Sequence, residues 1–340
     1  MSSSTEHRPD PFNDTFVAIA AARAVISATQ LGVIDALAQQ PATADALAAQ
    51  LQLDPLGVQA LLTALQTLGY LDVSDDGGQH GADTYRPSDA GHALVSDAPE
   101  SVAHFVGAYS AYAWDMLGGL DSALQGRRVP DSHERPTGHP FWEHYIRGLF
   151  QLARGEYDET AQLIPVSQPQ RMLDVAGGHG GFAMAMCRLH PTLRATVLDL
   201  PASAHVGRQI VAEEGFNEVV SFREGDATTD ELGQQLDLIS MFNLLHHLPP
   251  AGVQALLARA HAALRTPGGC LVIGETERTE HGEPPSLNGA MSGLVYFASS
   301  GTRNYTKREL TGWLGDAGFQ EVDVHRSDTS PWRLLYVARG

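Results

Sequence analysis

Apolar residues recur at helical spacing from near the start of the chain. Between residues 13 and 39, Phe16, Ile19, Ala20, Arg23, Ile26, Leu31, Ile34 and Leu37 roughly follow helical spacing, which predicts two helices broken at Gly32. Pro41 ends that unit. Thr43 is placed to cap a helix over 44–51, and Asp54 before Pro55 is an N-cap with proline at the first helical position. The helix so begun carries Val58, Leu61, Leu62, Leu65 and Leu68 on one face, and Gly69 closes it. Residues 70–73 and 84–87 read as strands around a loose turn that begins at 75–78, and Ser88 caps another helix. Helix, helix and hairpin in that order is winged-helix architecture.

Residues 100–160 read as helical and aromatic-rich, with Phe105, Tyr109, Tyr112, Trp114, Phe141, Trp142, Tyr145, Phe150 and Tyr157. Such a stripe fits core, interface or the wall of a pocket for a flat apolar ligand. Residues 131–140, with two prolines and a glycine, read as a loop. The pattern then changes. Short apolar runs at 172–175, 195–198, 219–222, 236–241, 271–274 and 334–337 alternate with helical stretches at 182–189, 204–214, 252–264 and 307–317. That alternation predicts a doubly wound α/β sheet with its ligand at the carboxyl ends of the strands.

Charge narrows the picture. The 340 residues carry 22 Lys and Arg against 40 Asp and Glu, a formal net charge of −18. This argues against non-specific binding to nucleic acid or anionic membrane, which needs clustered Lys and Arg. The helix at 55–68, where a winged helix would read DNA, has no Lys or Arg, and His80 is the only basic residue from 24 to 85. The module is therefore expected to pack against another copy of itself. Two cysteines, Cys187 and Cys270, build no disulfide framework and fit a reducing, cytoplasmic setting. No apolar run is long enough to span a membrane, and residues 1–12 read as a disordered leader without a signal-peptide core.

The main chemical signal is the loop Ala176-Gly-Gly-His-Gly-Gly181 after the first strand of the second half. Glycines there let backbone N–H groups and a helix N-terminus approach a ligand. Gly178-x-Gly180-x-x-Ala183, with Asp199 downstream, fits a dinucleotide fingerprint. Asp174 inside the motif instead favours a ligand with a cationic amino-acid end over a pyrophosphate, since like charges repel. S-adenosylmethionine is such a ligand. Asp199 would then serve the ribose, and Asp226 with Ala227 the adenine.

These residues carry a family resemblance. Asp174-Val-Ala-Gly-Gly-His-Gly180 is similar to the D-V-G-G-G-x-G loop of class I methyltransferases. Leu198-Asp-Leu-Pro201, Glu224-Gly-Asp226, Leu244-Leu-His-His-Leu248, Pro267-Gly-Gly269 and Val272-Ile-Gly-Glu275 follow in family order. From about residue 15 to 338 the chain resembles the caffeic-acid-type small-molecule O-methyltransferases, including bacterial natural-product tailoring enzymes. The resemblance implies a Rossmann-like doubly wound α/β methyltransferase sheet with an N-terminal, mainly helical winged-helix dimerisation domain. It implies a dimerisation domain at 13–100, linking helices at 101–160 that contribute to a substrate pocket, and a cofactor domain at 161–340. S-adenosylmethionine would be held by Asp174, Gly177, Gly178, Gly180, Asp199, Leu200, Asp226, Ala227 and Asn243.

The resemblance also implies that His246 is the general base for an acceptor hydroxyl and that Glu275 orients it by a hydrogen bond. The family's second acid falls at Asn304, which brings no charge to the base. This departure leaves room for a carbon or nitrogen acceptor, or for a reaction without methyl transfer. A second departure is Ala176 in place of the first loop glycine, expected at φ below zero. His179, in the loop, is expected to be exposed. His247, Met291, Leu294, Val295, Tyr296 and Phe297 are pocket candidates. No required metal is expected: Glu275, Glu277, His281, His246 and His247 lack tight ligand spacing. The partners implied are a small-molecule acceptor and a second copy of the chain, with no nucleic acid or membrane.

Overall fold

Gly32 adopts φ +70° and separates α1 (Ala18–Gln30) from α2 (Val33–Gln39), where the apolar pattern predicts the break. A π-helical stretch, Asn13–Val17, leads into α1. The computed structural model describes residues 9–74, 83–127, 132–265, 267–326 and 331–340. Most of the expected leader, the turn at 75–78 and His80 lie outside the described residues. The chain divides into two units, Met1–Tyr112 and Ala113–Gly340.

The first unit continues through α3 (Ala44–Leu51), α4 (Pro55–Thr67), β1 (Leu71–Ser74), β2 (Thr84–Pro87) and α5 (Asp89–His92). The side chains of Thr43, Asp54 and Ser88 accept the amides of Ala46, Gly57 and Gly91, each satisfying a helix end at about 1 kcal/mol. β1 and β2 pair antiparallel with Leu71 opposite Pro87, which forms the wing. Ile34, Leu37, Leu47, Val58, Leu62, Leu65 and Tyr85 make the core. Leu68, expected on the buried face of α4, is exposed because the helix ends at Thr67. Phe12, Phe16 and Ile19 also stay exposed, and the two phenylalanine rings stack 5.5 Å apart. Among the described residues, no single helix is long and apolar enough to cross a membrane.

A π-helical stretch (Phe105–Tyr109), α6 (Ser110–Gly118), α7 (Leu120–Leu124), a 3-10 turn (Ser132–Glu134), α8 (Pro140–Ala153) and α9 (Glu156–Gln162) lead to the sheet. The sheet unit then runs β3 (Arg171–Val175), α10 (Gly181–Leu189), β4 (Arg194–Asp199), α11 (Pro201–Glu213), β5 (Val220–Glu224), β6 (Leu238–Phe242), α12 (Pro250–Ala263), β7 (Cys270–Thr276), α13 (Leu287–Ser300), α14 (Lys307–Asp316), β8 (Glu321–Arg326) and β9 (Arg333–Arg339). Seven strands lie in the order β5-β4-β3-β6-β7-β9-β8. The first five are parallel, and β9 runs antiparallel between β7 and β8. The doubly wound sheet is as the sequence predicts. The apolar patterning misses β8, where Val322 and Val324 are the only apolar residues of an edge strand. β6 and β7 read as near-continuous apolar runs because both faces are covered. The exception is Ser240, fully buried in the middle of β6.

Chain order reverses on either side of β3, which pairs with β4 on one edge and β6 on the other. In an open parallel sheet that switch point opens a crevice at the carboxyl ends of the strands.

Candidate active site

Sheet order sets the candidate residues in a row. Asp226 follows β5, Asp199 ends β4, the glycine loop follows β3, Asn243 follows β6, and Glu275 lies near the end of β7. Five neighbouring strands at about 4.8 Å spacing make that row roughly 19 Å long.

Beneath the loop, Asp174 is 1% exposed, and its Oδ1 accepts from the Ser240 hydroxyl at 2.5 Å. A Cβ on Gly177 would lie 2.3 Å from the Asp174 carboxyl, so only glycine lets the loop settle on it. Burial pushes this carboxyl up to about 7, against the lowering effect of the Ser240 bond. Ala176 sits at φ +53°, not below zero, in the left-handed region that costs an L-residue about 1–2 kcal/mol. Its N–H donates to the Leu198 carbonyl at 2.7 Å, which ties the turn to β4. His179 is buried, not exposed. Its Nδ1 accepts the Gly181 N–H at 3.0 Å, its ring lies near Phe150 and Tyr157, and burial lowers it to about 4.

Asp199 remains at the edge of the crevice. Its Oδ2 accepts the Gly178 N–H and its Oδ1 the Leu200 N–H, both at 2.7 Å. Burial raises its pKa while those two bonds lower it. Each carboxylate oxygen keeps a further acceptor site, which suits a pair of ribose hydroxyls. Asp226 is exposed and turns back on Thr228, whose N–H and hydroxyl both donate to Oδ1, while Ala227 is buried behind it. Asn243 has φ +53° and donates its N–H to Gly274. An adenosyl group with an amino-acid tail fits this donor set: amides at the loop, a carboxylate for the sugar, and a polar turn beyond it.

The turn after β6 is tied at four successive residues. The Leu245 N–H donates to Glu275 Oε1 at 2.6 Å. His246 Nδ1 lies 2.8 Å from Glu275 Oε2. A carboxylate only accepts, so Nδ1 carries the proton and Nε2 keeps its lone pair. The Thr302 hydroxyl donates to the His246 carbonyl, and the Tyr305 hydroxyl to that of Leu248. His247 Nδ1 meets the Ser300 hydroxyl at 2.6 Å. His247 is held well below its ordinary pKa by burial first, then by the neighbouring His246 and His133.

The Asn304 amide nitrogen donates to the carbonyls of Glu277 and Gly289, both at 3.1 Å, and so pins α13 to the exit of β7. Of the pocket candidates on α13, Val295 and Phe297 are half-buried and Met291 is exposed. Tyr296, one of the pocket candidates, stacks on the His246 ring. Two neighbours lay outside the expected set. His133, from the 3-10 turn, meets the ring of His247 edge-on at 4.9 Å and lies near Tyr145 and Trp142. Ser240 holds Asp174, and a serine inside an otherwise apolar strand was the sequence signal for it. Among the described residues, no three His, Cys, Asp or Glu side chains group so as to hold a metal ion.

Comparison with known proteins places this geometry. The chain matches the O-methyltransferase domain family over residues 137–320 and the O-methyltransferase dimerisation domain over 14–97. It is 30% identical over 332 residues to the N,N-dimethyltransferase OxyT of Streptomyces rimosus, covering 93% of this chain and 92% of that one. It is 28% identical over 310 residues to the 3-hydroxy-5-methyl-1-naphthoate 3-O-methyltransferase of Streptomyces sahachiroi, covering 88% and 86%. Human N-acetylserotonin methyltransferase, solved in complex with SAM, shares the fold with a TM-score of 0.82 at 22% identity, over 100% of this chain and 99% of that one.

Proposed function

The chain belongs to the O-methyltransferase family, and on that premise we propose that it methylates a hydroxyl of a small aromatic or polyketide-type intermediate, with His246 as general base. It is an S-adenosylmethionine-dependent methyltransferase. The observation that carries the proposal is the buried His246–Glu275 pair at 2.8 Å beside the crevice. When bound, S-adenosylmethionine supplies an electrophilic methyl carbon on a sulfonium. His246 Nε2 takes the hydroxyl proton of the acceptor, leaving the oxygen's electron pair for the methyl carbon, whose bond to sulfur would break with its pair passing to sulfur. Glu275 accepts from Nδ1 and stabilises the imidazolium that results. A phenol with a pKa of about 10 needs this help, while a neutral amine does not, which ranks oxygen above nitrogen.

Gly177, Gly178, Gly180, Asp199, Leu200, Asp226, Ala227 and Asn243 hold the cofactor in this reading. Asp174, buried beneath the loop, belongs to the same cofactor set. His247, Met291, Val295 and Phe297 face the acceptor, and positioning in a dry site supplies most of the rate. Residues 13–100 pair two copies of the chain, 101–160 link and help to wall the pocket, and 161–340 bind the cofactor. The enzyme works in the cytoplasm on a small molecule, with no nucleic-acid or membrane partner.

The test is methyl transfer from labelled S-adenosylmethionine to a panel of hydroxynaphthoates, with product NMR to locate the methyl group. His246→Ala is expected to lose about 10²–10⁴ in kcat. Near wild-type turnover in that variant overturns the base assignment.

A further inference from the structure

We propose that Tyr296 is a positioning residue that stabilises the charged form of His246 through its ring face, in the place where the family pattern has a second acid. This inference rests on His246 being the base. The Tyr296 and His246 rings lie 3.6 Å apart between centroids and within 9° of parallel. An imidazole that gains a proton becomes a cation against the electron-rich face of a phenol, and buried cation–π pairs are stronger than exposed ones. His246 and Glu275 are both 3% exposed, so water screens little of this attraction.

The ring is held in place independently. Its hydroxyl donates to Thr276 Oγ1 at 3.2 Å, one residue beyond Glu275 on β7. Its helix, α13, is fastened by Asn304, which donates to Gly289 on α13 and to Glu277 just after β7. Gly293 on α13 also lies against Asn304 Oδ1, where a Cβ would come within 2.8 Å. The residue that lacks the acid's charge therefore seats the helix that brings the aromatic face. Other groups around His246 are Glu275 from β7, His247 in the same turn, and His133 behind His247. Of these groups Glu275 carries a negative charge, and His247 is held well below its ordinary pKa. Tyr296 adds to the attractive side of that balance without adding charge.

The test needs no acceptor. Ring-nitrogen NMR on the full chain labelled with ¹⁵N-histidine follows the His246 titration, with assignment by His246→Gln. Tyr296→Phe keeps the ring face and is expected to titrate within about 0.2 pH unit of wild type. Tyr296→Leu is expected to move the midpoint down by about 0.5–1 unit, a three- to tenfold change in the ionisation equilibrium. Tyr296→Trp keeps a stacked face and is expected to titrate at or above wild type, which keeps the comparison open should the leucine variant fold poorly. A leucine or tryptophan variant contradicting these directions, or a phenylalanine variant that shifts like leucine, overturns the proposal. Unimpaired methyl transfer by His246→Gln would instead remove the base assignment and leave the NMR comparison intact.

Discussion

Glu275 holds His246 with one carboxylate oxygen and the backbone amide of Leu245 with the other, at 2.8 and 2.6 Å. One side chain therefore fixes both the ring and the main chain that carries it. Replacing it by Gln keeps the size but places an amide where two acceptor oxygens are needed. Glu275→Gln is expected to lower kcat about 10- to 100-fold, the range for losing an orienting partner, with little change in cofactor affinity. Steady-state rates with calorimetric titration of S-adenosylhomocysteine check this, and an equal loss in both quantities would point to a collapsed site.

Asp174 makes stability depend on pH in an unusual direction. A carboxyl held at about 7 when folded and near 3.8 when unfolded favours the folded chain below about pH 4. As the pH rises to 7, the unfolded chain releases its proton first and that stability is lost. Asp174→Asn has no such slope. Its melting temperature relative to wild type is expected to climb between pH 4 and 7 and then level off. Parallel curves for the two proteins would contradict it.

His179 gives the opposite slope from the same loop. Its imidazole is held at about 4 against an ordinary 6.5, so its contribution is complete above about pH 6.5 and lost as the pH falls toward 4. His179→Gln is expected to lose less stability than wild type over that interval in denaturant titrations. An acid limb unchanged by the substitution would show that His179 takes up its proton while folded.

His247 is tied to Ser300 on α13 and faces His133, and in the proposed reading it shapes the acceptor side. Ser300→Ala removes one hydrogen bond and is expected to raise the acceptor KM about 3- to 10-fold with kcat little changed. A fall in kcat of the size expected for His246→Ala would instead make His247 part of the proton transfer.

The central sheet was legible because most of its parallel strands are short apolar runs, with a glycine or an acid near the ligand edge of β3, β4, β5 and β7. β8 was not, since an edge strand needs few apolar residues and Glu321–Arg326 has two. The pairing of His246 with Glu275 came through resemblance, because nothing in a 29-residue separation marks a hydrogen bond. The fates of Asp174, His179 and Asn304 were out of reach for a related reason. Whether a polar side chain meets ligand, solvent or backbone depends on what packs over it, and Ser240, Gly289 and the Phe150 and Tyr157 rings near His179 lie elsewhere in the sequence. Ala176 shows the limit at the backbone, where one bond to Leu198 accompanies a conformation that propensity would reject.

The antiparallel insertion of β9 sets a constraint on synthesis. Glu275 is registered directly opposite Leu334, on a strand made well after the glycine loop, His246 and Glu275 itself have left the ribosome. Until β9 arrives, β7 has a neighbour on one side only, and the acid that holds the imidazole lies on an open edge. A nascent chain stopped before β9 would contain every residue of the candidate site and lack the strand that sets their register.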